Sequence, residues 1–388
     1  MKAPEAAGLD REALVRLHDA FAGLVECGRL PGAQWLIHRR GTVGCFDSVG
    51  QLDPVRGEPM RGDAIFRIYS MTKPIVSVAT MRLVEQGRVM LRDPVSKYLP
   101  EFIRARVGVE RDGQLELKPP NRPMTVHDLL RHTAGMTYEF LEPSAVRLRY
   151  SEAKLFARNR SSAELCAAIA QIPLMHEPGS AWDYSRATDV LGRLLEVVGG
   201  QSLGEHLRGV IFEPLGMVDT GFSVPVSQHG RIAEPFAINP DTGVPVSTFD
   251  ARVPAALEGG GGGLFSTTAD YARFLRMLLG GGTLDGLRLL GRKTVEFMTA
   301  DHLGPLPRSG DVLPPGHGFG LGFAVKTQLG MHTEPGSVGT YGWSGAAGTA
   351  FFVDPQEAMF AMIMVQAPGQ LDEFRELFRQ LVYAAIDD

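Results

Sequence analysis

The sequence predicts a mixed α/β (α+β) fold, in which an antiparallel sheet is built from both ends of the chain and flanked by helices. Three observations predict it. Strand-like apolar runs cluster near the two ends of the chain, helical periodicity flanks them, and strand patterns are sparse in between. The runs lie at 35–37, 43–46, 320–325, 349–353 and 358–365.

The chain has 388 residues, which is more than one simple core usually holds. We therefore expect two domains. Residues 1–90 and 261–388 should form the sheet domain, and residues 91–260 should form a mainly helical domain inserted into it. We expect the active site in the cleft between them.

The first elements follow from spacing and turn chemistry. From Asp10, a suitable N-cap, apolar residues recur at helical spacing until about Gly28. The runs at 35–37 and 43–46 are separated by Arg-Arg-Gly-Thr, which predicts a β-hairpin.

The last elements mirror the first. The run at 358–365 is too short to cross a membrane and predicts a buried strand. Asp354 and Pro355 are typical turn residues between it and the strand at 349–353. Residues 374–386 predict a closing helix.

Composition excludes several classes of function. The net charge of -5 offers no basic surface for nucleic acid, and no segment has the length of a membrane span. Cys27, Cys45 and Cys166 are far apart, so we expect neither disulfides nor a thiolate metal site. The first ten residues have no apolar stretch of signal-peptide length. We expect a cytoplasmic protein that binds neither nucleic acid nor membrane.

Ser70 and Lys73 carry the strongest chemical signal. They are three residues apart at the start of a segment that is apolar nearly all round, which predicts a buried helix with both side chains on one face. A serine hydroxyl needs a base to become a nucleophile, and a lysine whose charged form is disfavoured by burial can be that base. The helix amino terminus adds N–H donors for an oxyanion.

The spacing alone is weak evidence for a nucleophile, because Ser151 and Lys154 have the same spacing. Ser151 lies among charged residues, including Arg147 and Arg158, and we interpret that segment as a solvated face. On pattern alone, Ser70 is as compatible with a helix cap as with a nucleophile.

Other motifs point away from cofactors. The glycine run 259–263 is not followed by the Lys-Ser or Lys-Thr of a phosphate loop, so we interpret it as backbone passing tightly beside the cleft. No Gly-x-Ser-x-Gly elbow occurs. The histidines lack metal-ligand spacing, and we interpret them as structural. They are His127, His132, His317 and His332. We predict no metal and no cofactor.

Longer motifs occur in a familiar order over nearly the whole chain. They are Ser-Met-Thr-Lys at 70–73, Leu-Arg-Asp-Pro-Val-Ser-Lys-Tyr-Leu-Pro at 91–100, Asp-Leu-Leu-Arg-His-Thr-Ala-Gly-Met at 128–136, Tyr-Ser at 184–185, Gly-Gly-Gly-Leu-Phe-Ser-Thr-Thr-Ala-Asp at 261–270 and Gly-Phe-Gly-Leu-Gly at 318–322. The chain thereby resembles the serine beta-lactamase and DD-peptidase superfamily, and within it the family VIII carboxylesterases, whose fold is that of class C beta-lactamases.

The resemblance implies a beta-lactamase/transpeptidase-like fold and a set of roles. Ser70 is acylated, Lys73 accepts its proton, and Tyr184 relays the proton to the leaving alcohol. The oxyanion sits between the backbone N–H groups of Ser70 and Ala346. The substrate-binding strand motif matches Trp343, Ser344 and Gly345.

Three further positions bear on the substrate. Tyr138 either lines the acyl site or only packs in its loop. Trp343 stands where beta-lactamases usually have a cation, and Arg186 stands where they have an asparagine. An indole cannot pair with a carboxylate, so both departures favour a neutral ester over a lactam, although Arg186 can recruit an anion itself.

We therefore predict a serine carboxylesterase for short-chain esters, with no cofactor. The alternatives are a class C-like beta-lactamase or DD-peptidase with weak lactam activity, an acyltransferase that uses an alcohol in place of water, and a binding protein that is acylated without turnover. The sequence leaves the oligomeric state open.

Overall fold

The computed structural model describes residues 4–370 and 372–388. In chain order the strands are β1 (Gly32–Arg39), β2 (Thr42–Asp53), β3 (Glu58–Pro59), β4 (Ile65–Arg67), β5 (Val107–Arg111), β6 (Gln114–Lys118), β7 (Trp182–Asp183), β8 (Phe265–Thr267), β9 (Thr283–Leu284), β10 (Leu287–Arg288), β11 (Arg308–Ser309), β12 (His317–Phe319), β13 (Ala324–Lys326), β14 (Tyr341–Ser344), β15 (Ala350–Asp354) and β16 (Met359–Val365).

The α-helices follow the same order. They are α1 (Arg11–Glu26), α2 (Thr72–Glu85), α3 (Val126–Leu130), α4 (Ala145–Glu152), α5 (Ser162–Ala170), α6 (Ala187–Gly199), α7 (Leu203–Leu207), α8 (Glu213–Leu215), α9 (Thr268–Leu279), α10 (Arg292–Met298) and α11 (Asp372–Ala384). Within the ranges described, no helix is both long and apolar enough to cross a membrane.

The main sheet is antiparallel and joins the two ends of the chain. Its strands lie in the order β12-β13-β14-β15-β16-β1-β2-β3. The last long strand, β16, pairs with the first, β1, in a register that sets Ala33 opposite Val365. This confirms the predicted sheet. The predicted hairpin is also present, since β1 and β2 meet at a turn in which Arg40 and Gly41 both have positive φ.

Alternate residues of the central strands serve two cores. On β1, Trp35 and Ile37 pack with α1 and α11, whereas Leu36 points into the larger core on the other face. That larger core contains α2, whose residues 72–81 are all buried, as the all-round apolar pattern predicts. The N-cap prediction for α1 is confirmed as well, because Asp10 Oδ1 accepts from the N–H of Ala13.

One predicted strand is wrong. Residues 320–323 form the turn of a hairpin between β12 and β13, and only residues 324 and 325 of the predicted strand lie in β13. The N–H of Gly320 donates to the carbonyl of Phe323, and Gly322 has φ 99°. Glycines at these two positions favour a chain reversal over continued extension.

The region 91–260 holds α3 to α8, and it also holds a hairpin, β5 and β6, that the sequence pattern did not indicate. Most side chains of β6 are exposed, so the hairpin has no apolar face to detect. The larger core runs without interruption from α2 into α5 and α6 of this region. The division into two domains therefore stays a prediction.

Candidate active site

Ser70 lies in a short turn that feeds into α2. The 3-10 turn Tyr69–Met71 precedes the helix, so α2 begins at Thr72 and not at Ser70 itself. Tyr69 has φ 43°, in the left-handed region that non-glycine residues rarely adopt. Such a conformation costs on the order of 1–3 kcal/mol and tends to persist where it positions a functional group. Here it precedes the predicted nucleophile.

Three side chains meet at the Ser70 hydroxyl. Lys73 Nζ donates to Ser70 Oγ over 3.1 Å, and Tyr184 Oη donates to the same oxygen over 2.7 Å. One helical turn separates Ser70 from Lys73, whereas Tyr184 is brought in from 114 residues away. The structure thus brings together the three residues for which the sequence analysis predicts catalytic roles.

Lys73 is held by neutral groups. Only 1% of it is exposed, and its Nζ donates to the carbonyl of Gly261 over 2.6 Å. The same atom lies 4.7 Å from the ring centre of Tyr184 and 5.3 Å from that of Tyr138. No carboxylate of the described residues is within ion-pair distance of it. The surroundings of the amine are therefore a hydroxyl, a carbonyl and two ring faces.

The glycine run explains how Lys73 is held. The N–H of Gly261 donates to Asp189 Oδ1 over 2.8 Å, while its carbonyl accepts from Lys73. A Cβ on Gly261 would lie 2.8 Å from the Asp189 carboxylate, and one on Gly260 would lie 2.6 Å from the Thr188 carbonyl. The prediction that the run lets backbone pass tightly beside the cleft is confirmed.

Hydrogen bonds hold Tyr184 in place, both through its neighbour Asp183 and at its own hydroxyl. Its neighbour Asp183 is buried and accepts from Arg147, Thr137 and His176. On the open side, Trp343 Nε1 donates to Tyr184 Oη over 3.3 Å. The sequence predicted only that Trp343 would line an apolar pocket. It did not reveal this hydrogen bond, because the two residues are far apart in the chain.

Ser70 and Tyr184 open onto a cavity of about 660 Å³. Its wall includes the predicted substrate-binding residues Tyr138, Trp343, Ser344 and Gly345. It also includes Ala346, the predicted oxyanion donor, together with Ser70 and Tyr184. Lys73 lies beneath the floor.

The strand end at the proposed anion site has a backbone donor available. The N–H of Gly345 donates to the carbonyl of Thr349 over 2.8 Å. The N–H of Ala346, by contrast, donates to none of the residues that the structure describes. A Cβ on Gly345 would lie 2.4 Å from the carbonyl of Ile68, so glycine is needed there for β14 to approach the nucleophile turn.

The described histidines are not grouped as metal ligands. Among residues 4–370 and 372–388, no three His, Cys, Asp or Glu side chains are grouped to hold an ion. His132 is the histidine beside the site, with its ring 5.2 Å from that of Tyr184 and Nδ1 3.0 Å from Ser185 Oγ. Burial, together with the nearby charge of Lys73, holds the pKa of His132 well below its usual range, so it is neutral.

Two interpretations of charged residues require correction. Ser151 and Lys154 are exposed, but their neighbours do not form one solvated face. Arg147 is buried in an ion pair with Asp183, and Arg158 lines the cavity. Arg186 is not available to recruit an anion, because Glu139 and Asp189 already compensate its charge.

Comparisons with known proteins agree on one family. The family model described as Beta-lactamase matches residues 17–385. Esterase EstB of Burkholderia gladioli is 32% identical over 405 residues, covering 98% of each chain. Lovastatin esterase of Penicillium rubens is 29% identical over 402 residues, covering 94% of this chain and 96% of that one.

A solved structure shows the same fold over the whole length. It is the structure of EstCE1, a hydrolase with promiscuous acyltransferase activity. Its TM-score is 0.81 at 27% sequence identity, and the match covers 96% of this chain and 99% of that one. The chain thus has the beta-lactamase/transpeptidase-like fold, and it belongs to the beta-lactamase family as a serine hydrolase.

Proposed function

We propose that this protein is a carboxylesterase of the family VIII type, which hydrolyses short-chain esters through an acyl-enzyme on Ser70. The observation that carries the proposal is the contact of one hydroxyl, Ser70 Oγ, with both Lys73 Nζ and Tyr184 Oη at the floor of a cavity. A nucleophile in contact with two proton-transfer groups is the arrangement that acyl transfer requires.

In the proposed acylation, Ser70 Oγ forms a bond to the ester carbonyl carbon as its proton passes to Lys73 Nζ. The carbonyl oxygen becomes an oxyanion and accepts from the N–H groups of Ser70 and Ala346. When this intermediate collapses, the bond to the alcohol oxygen breaks and Tyr184 Oη protonates that oxygen. Lys73 then returns a proton to Tyr184, so the serine proton leaves with the alcohol overall.

Deacylation repeats these steps with water as the nucleophile. Water loses a proton to the Tyr184 and Lys73 pair, its oxygen bonds to the acyl carbon, and the bond to Ser70 Oγ breaks as that oxygen regains a proton. Trp343 Nε1 supports both steps, because its donation to Tyr184 Oη stabilises negative charge on the phenol oxygen.

Two further findings support an ester over a lactam. Trp343 offers an indole and no cation at the cavity wall, and relatives of this chain carry the names esterase EstB and lovastatin esterase. We expect turnover of p-nitrophenyl butyrate and little or no turnover of nitrocefin. A preference for nitrocefin would favour the beta-lactamase or peptidase alternative.

The decisive experiment compares two serine variants. Ser70→Ala removes the proposed nucleophile and is expected to abolish hydrolysis of p-nitrophenyl butyrate. Ser151→Ala changes the exposed serine that has the same spacing to a lysine, and it should retain activity. Equal hydrolysis by both variants, with both folded by circular dichroism, would refute the assignment.

A second candidate activity is acyl transfer to an alcohol. EstCE1 has acyltransferase activity beside hydrolysis, and the cavity of the present chain has room for an acceptor. Adding a competing alcohol would divert the acyl group into a new ester if transfer occurs. A product burst that stops at one equivalent, with no alcohol or water turnover, would instead indicate a binding protein that is acylated once.

A further inference from the structure

Arg158 lies in the wall of the cavity and forms no ion pair with any residue that the structure describes. It lines the same space as Ser70. Its guanidinium lies 4.0 Å from the ring centre of Phe249, and its buried Nη2 donates to none of the residues described. No ion pair to Arg158 occurs within the described ranges. A partly buried charge with no counter-ion is unfavourable, so such groups usually have a reason to be where they are.

The charges around Arg158 do not compensate it. Arg67 donates to the carbonyl of Phe249, the residue on which Arg158 stacks, and its own charge is already paired with Glu234 over 2.9 Å. Glu234 also pairs with Arg252, and it makes no ion pair with Arg158.

Tyr69 provides a second polar group at the same place. Its ring contacts Phe249, the residue on which Arg158 stacks, with ring centres 5.0 Å apart. Its hydroxyl makes no hydrogen bond to a described residue, and Tyr69 lines the same cavity as Arg158. Tyr69 also precedes Ser70 in the chain. Tyr69 and Arg158 therefore both lie on the cavity that Ser70 lines, and each has a donor that binds none of the described residues.

The rest of this wall is apolar, with Phe140, Leu155, Phe156, Phe249 and Leu257 among its residues. The carboxylates on the cavity lining outside the Arg186 ion pairs are Glu142 and Asp311, and both are exposed. A cavity of about 660 Å³ is in the range that holds a drug-sized ligand, which is larger than a short-chain ester.

We propose that the preferred esters carry a carboxylate, separated from the scissile ester by an apolar spacer, and that Arg158 binds this carboxylate with help from the Tyr69 hydroxyl. The inference rests on the proposed ester hydrolysis at Ser70. It adds a charged recognition group to a mainly apolar wall, and Arg is the side chain best suited to binding a carboxylate through two parallel hydrogen bonds.

Matched substrate pairs test the proposal and show which half of the ester carries the charge. On the acyl side, mono-p-nitrophenyl adipate, suberate and sebacate are compared with the same compounds methylated at the free carboxylate. On the alcohol side, 4-carboxyphenyl butyrate is compared with its methyl ester. We expect kcat/KM to favour the charged member of the pair in at least one of these series.

Variants then assign the preference to Arg158. Arg158→Gln should reduce the ratio of charged to neutral kcat/KM by about 10- to 100-fold, mainly through KM, which is the usual value of a charge-assisted hydrogen bond. Arg158→Lys should restore part of that ratio, because it keeps the charge but not the planar fork. Arg149→Gln is the control, since Arg149 is exposed on α4 and pairs with Glu152.

The outcomes separate the two proposals. If the wild type hydrolyses neutral esters but Arg158→Gln and Arg149→Gln give the same ratio as the wild type in every series, the carboxylate inference is wrong and the esterase proposal stands. If the wild type hydrolyses none of the esters, the proposed function itself fails.

Discussion

Lys73 Nζ and the carbonyl of Gly261 are 2.6 Å apart, although 188 residues separate them in the chain. The N–H of the same glycine is held by Asp189 Oδ1. Asp189 therefore sets the position of the Gly261 backbone, and through it the position of the amine beside Ser70. It acts as a positioning residue, because it reaches the amine through the backbone of Gly261.

Removing the Asp189 acceptor should loosen Lys73. For Asp189→Ala we expect kcat for p-nitrophenyl butyrate to fall about 10-fold or more with a smaller change in KM, because a misplaced catalytic group affects the chemical step. Asp189→Asn keeps an oxygen that can accept from Gly261, and it should restore most of kcat. Equal losses in the two variants would show that the charge beside Arg186 matters and the backbone contact does not.

Tyr184→Phe tests the phenol. The ring remains to pack against Trp343, but no O–H is left to protonate the alcohol, so kcat should fall about 10²-fold or more. Tyr341→Phe is a matched control on β14, where the ring packs against Phe323 away from the cavity. Steady-state rates with p-nitrophenyl butyrate provide the measurement. A Tyr184→Phe rate equal to that of the control would remove Tyr184 from the mechanism.

His38 links stability to pH. Burial, with a smaller effect of Arg276, lowers the pKa of its imidazole from 6.5 to about 4. Between these values the unfolded chain takes up a proton that the folded protein does not, so the free energy of unfolding decreases as the pH falls. The slope is about 1.4 kcal/mol per pH unit for one such group.

Replacing His38 by asparagine removes this contribution. We expect the free energy of unfolding, measured by urea titration at several pH values, to fall less steeply in His38→Asn than in the wild type across that window. The other acid-sensitive groups are common to both proteins, and so they cancel in the comparison. Parallel curves would show that His38 is protonated in the folded protein.

Local patterns predicted what local physics determines. The buried helix after Ser70 and the central strands were predictable from continuous apolar runs. The close passage of the backbone at 259–263 was predictable because glycine has no side chain. The prediction of a strand at 320–325 was wrong, because the apolar residues there alternate with glycines at which the chain reverses. The predicted solvent exposure of Arg158 was wrong, because burial of a charged residue depends on residues from other parts of the chain, here Phe249 and Leu257.

The site residues show the same limit. The spacing of Ser70 and Lys73 put both on one helix face, while the resemblance to a known family was needed to select Tyr184 from eight tyrosines. No periodicity could reveal that Trp343 donates to Tyr184, or that Asp189 holds Lys73 through Gly261. These contacts depend on how distant segments pack. Such packing is determined by the sequence as a whole and not by any local pattern.

The central pairing of β1 with β16 also determines when the enzyme can become active. During synthesis the nucleophile turn emerges early, but β14, the strand that precedes Ala346, is connected to β1 and β2 only through β15 and β16. Contacts of such long sequence separation form slowly, since a large loop must close first. In refolding experiments, ester hydrolysis should therefore recover in a late phase, after most helical signal has returned.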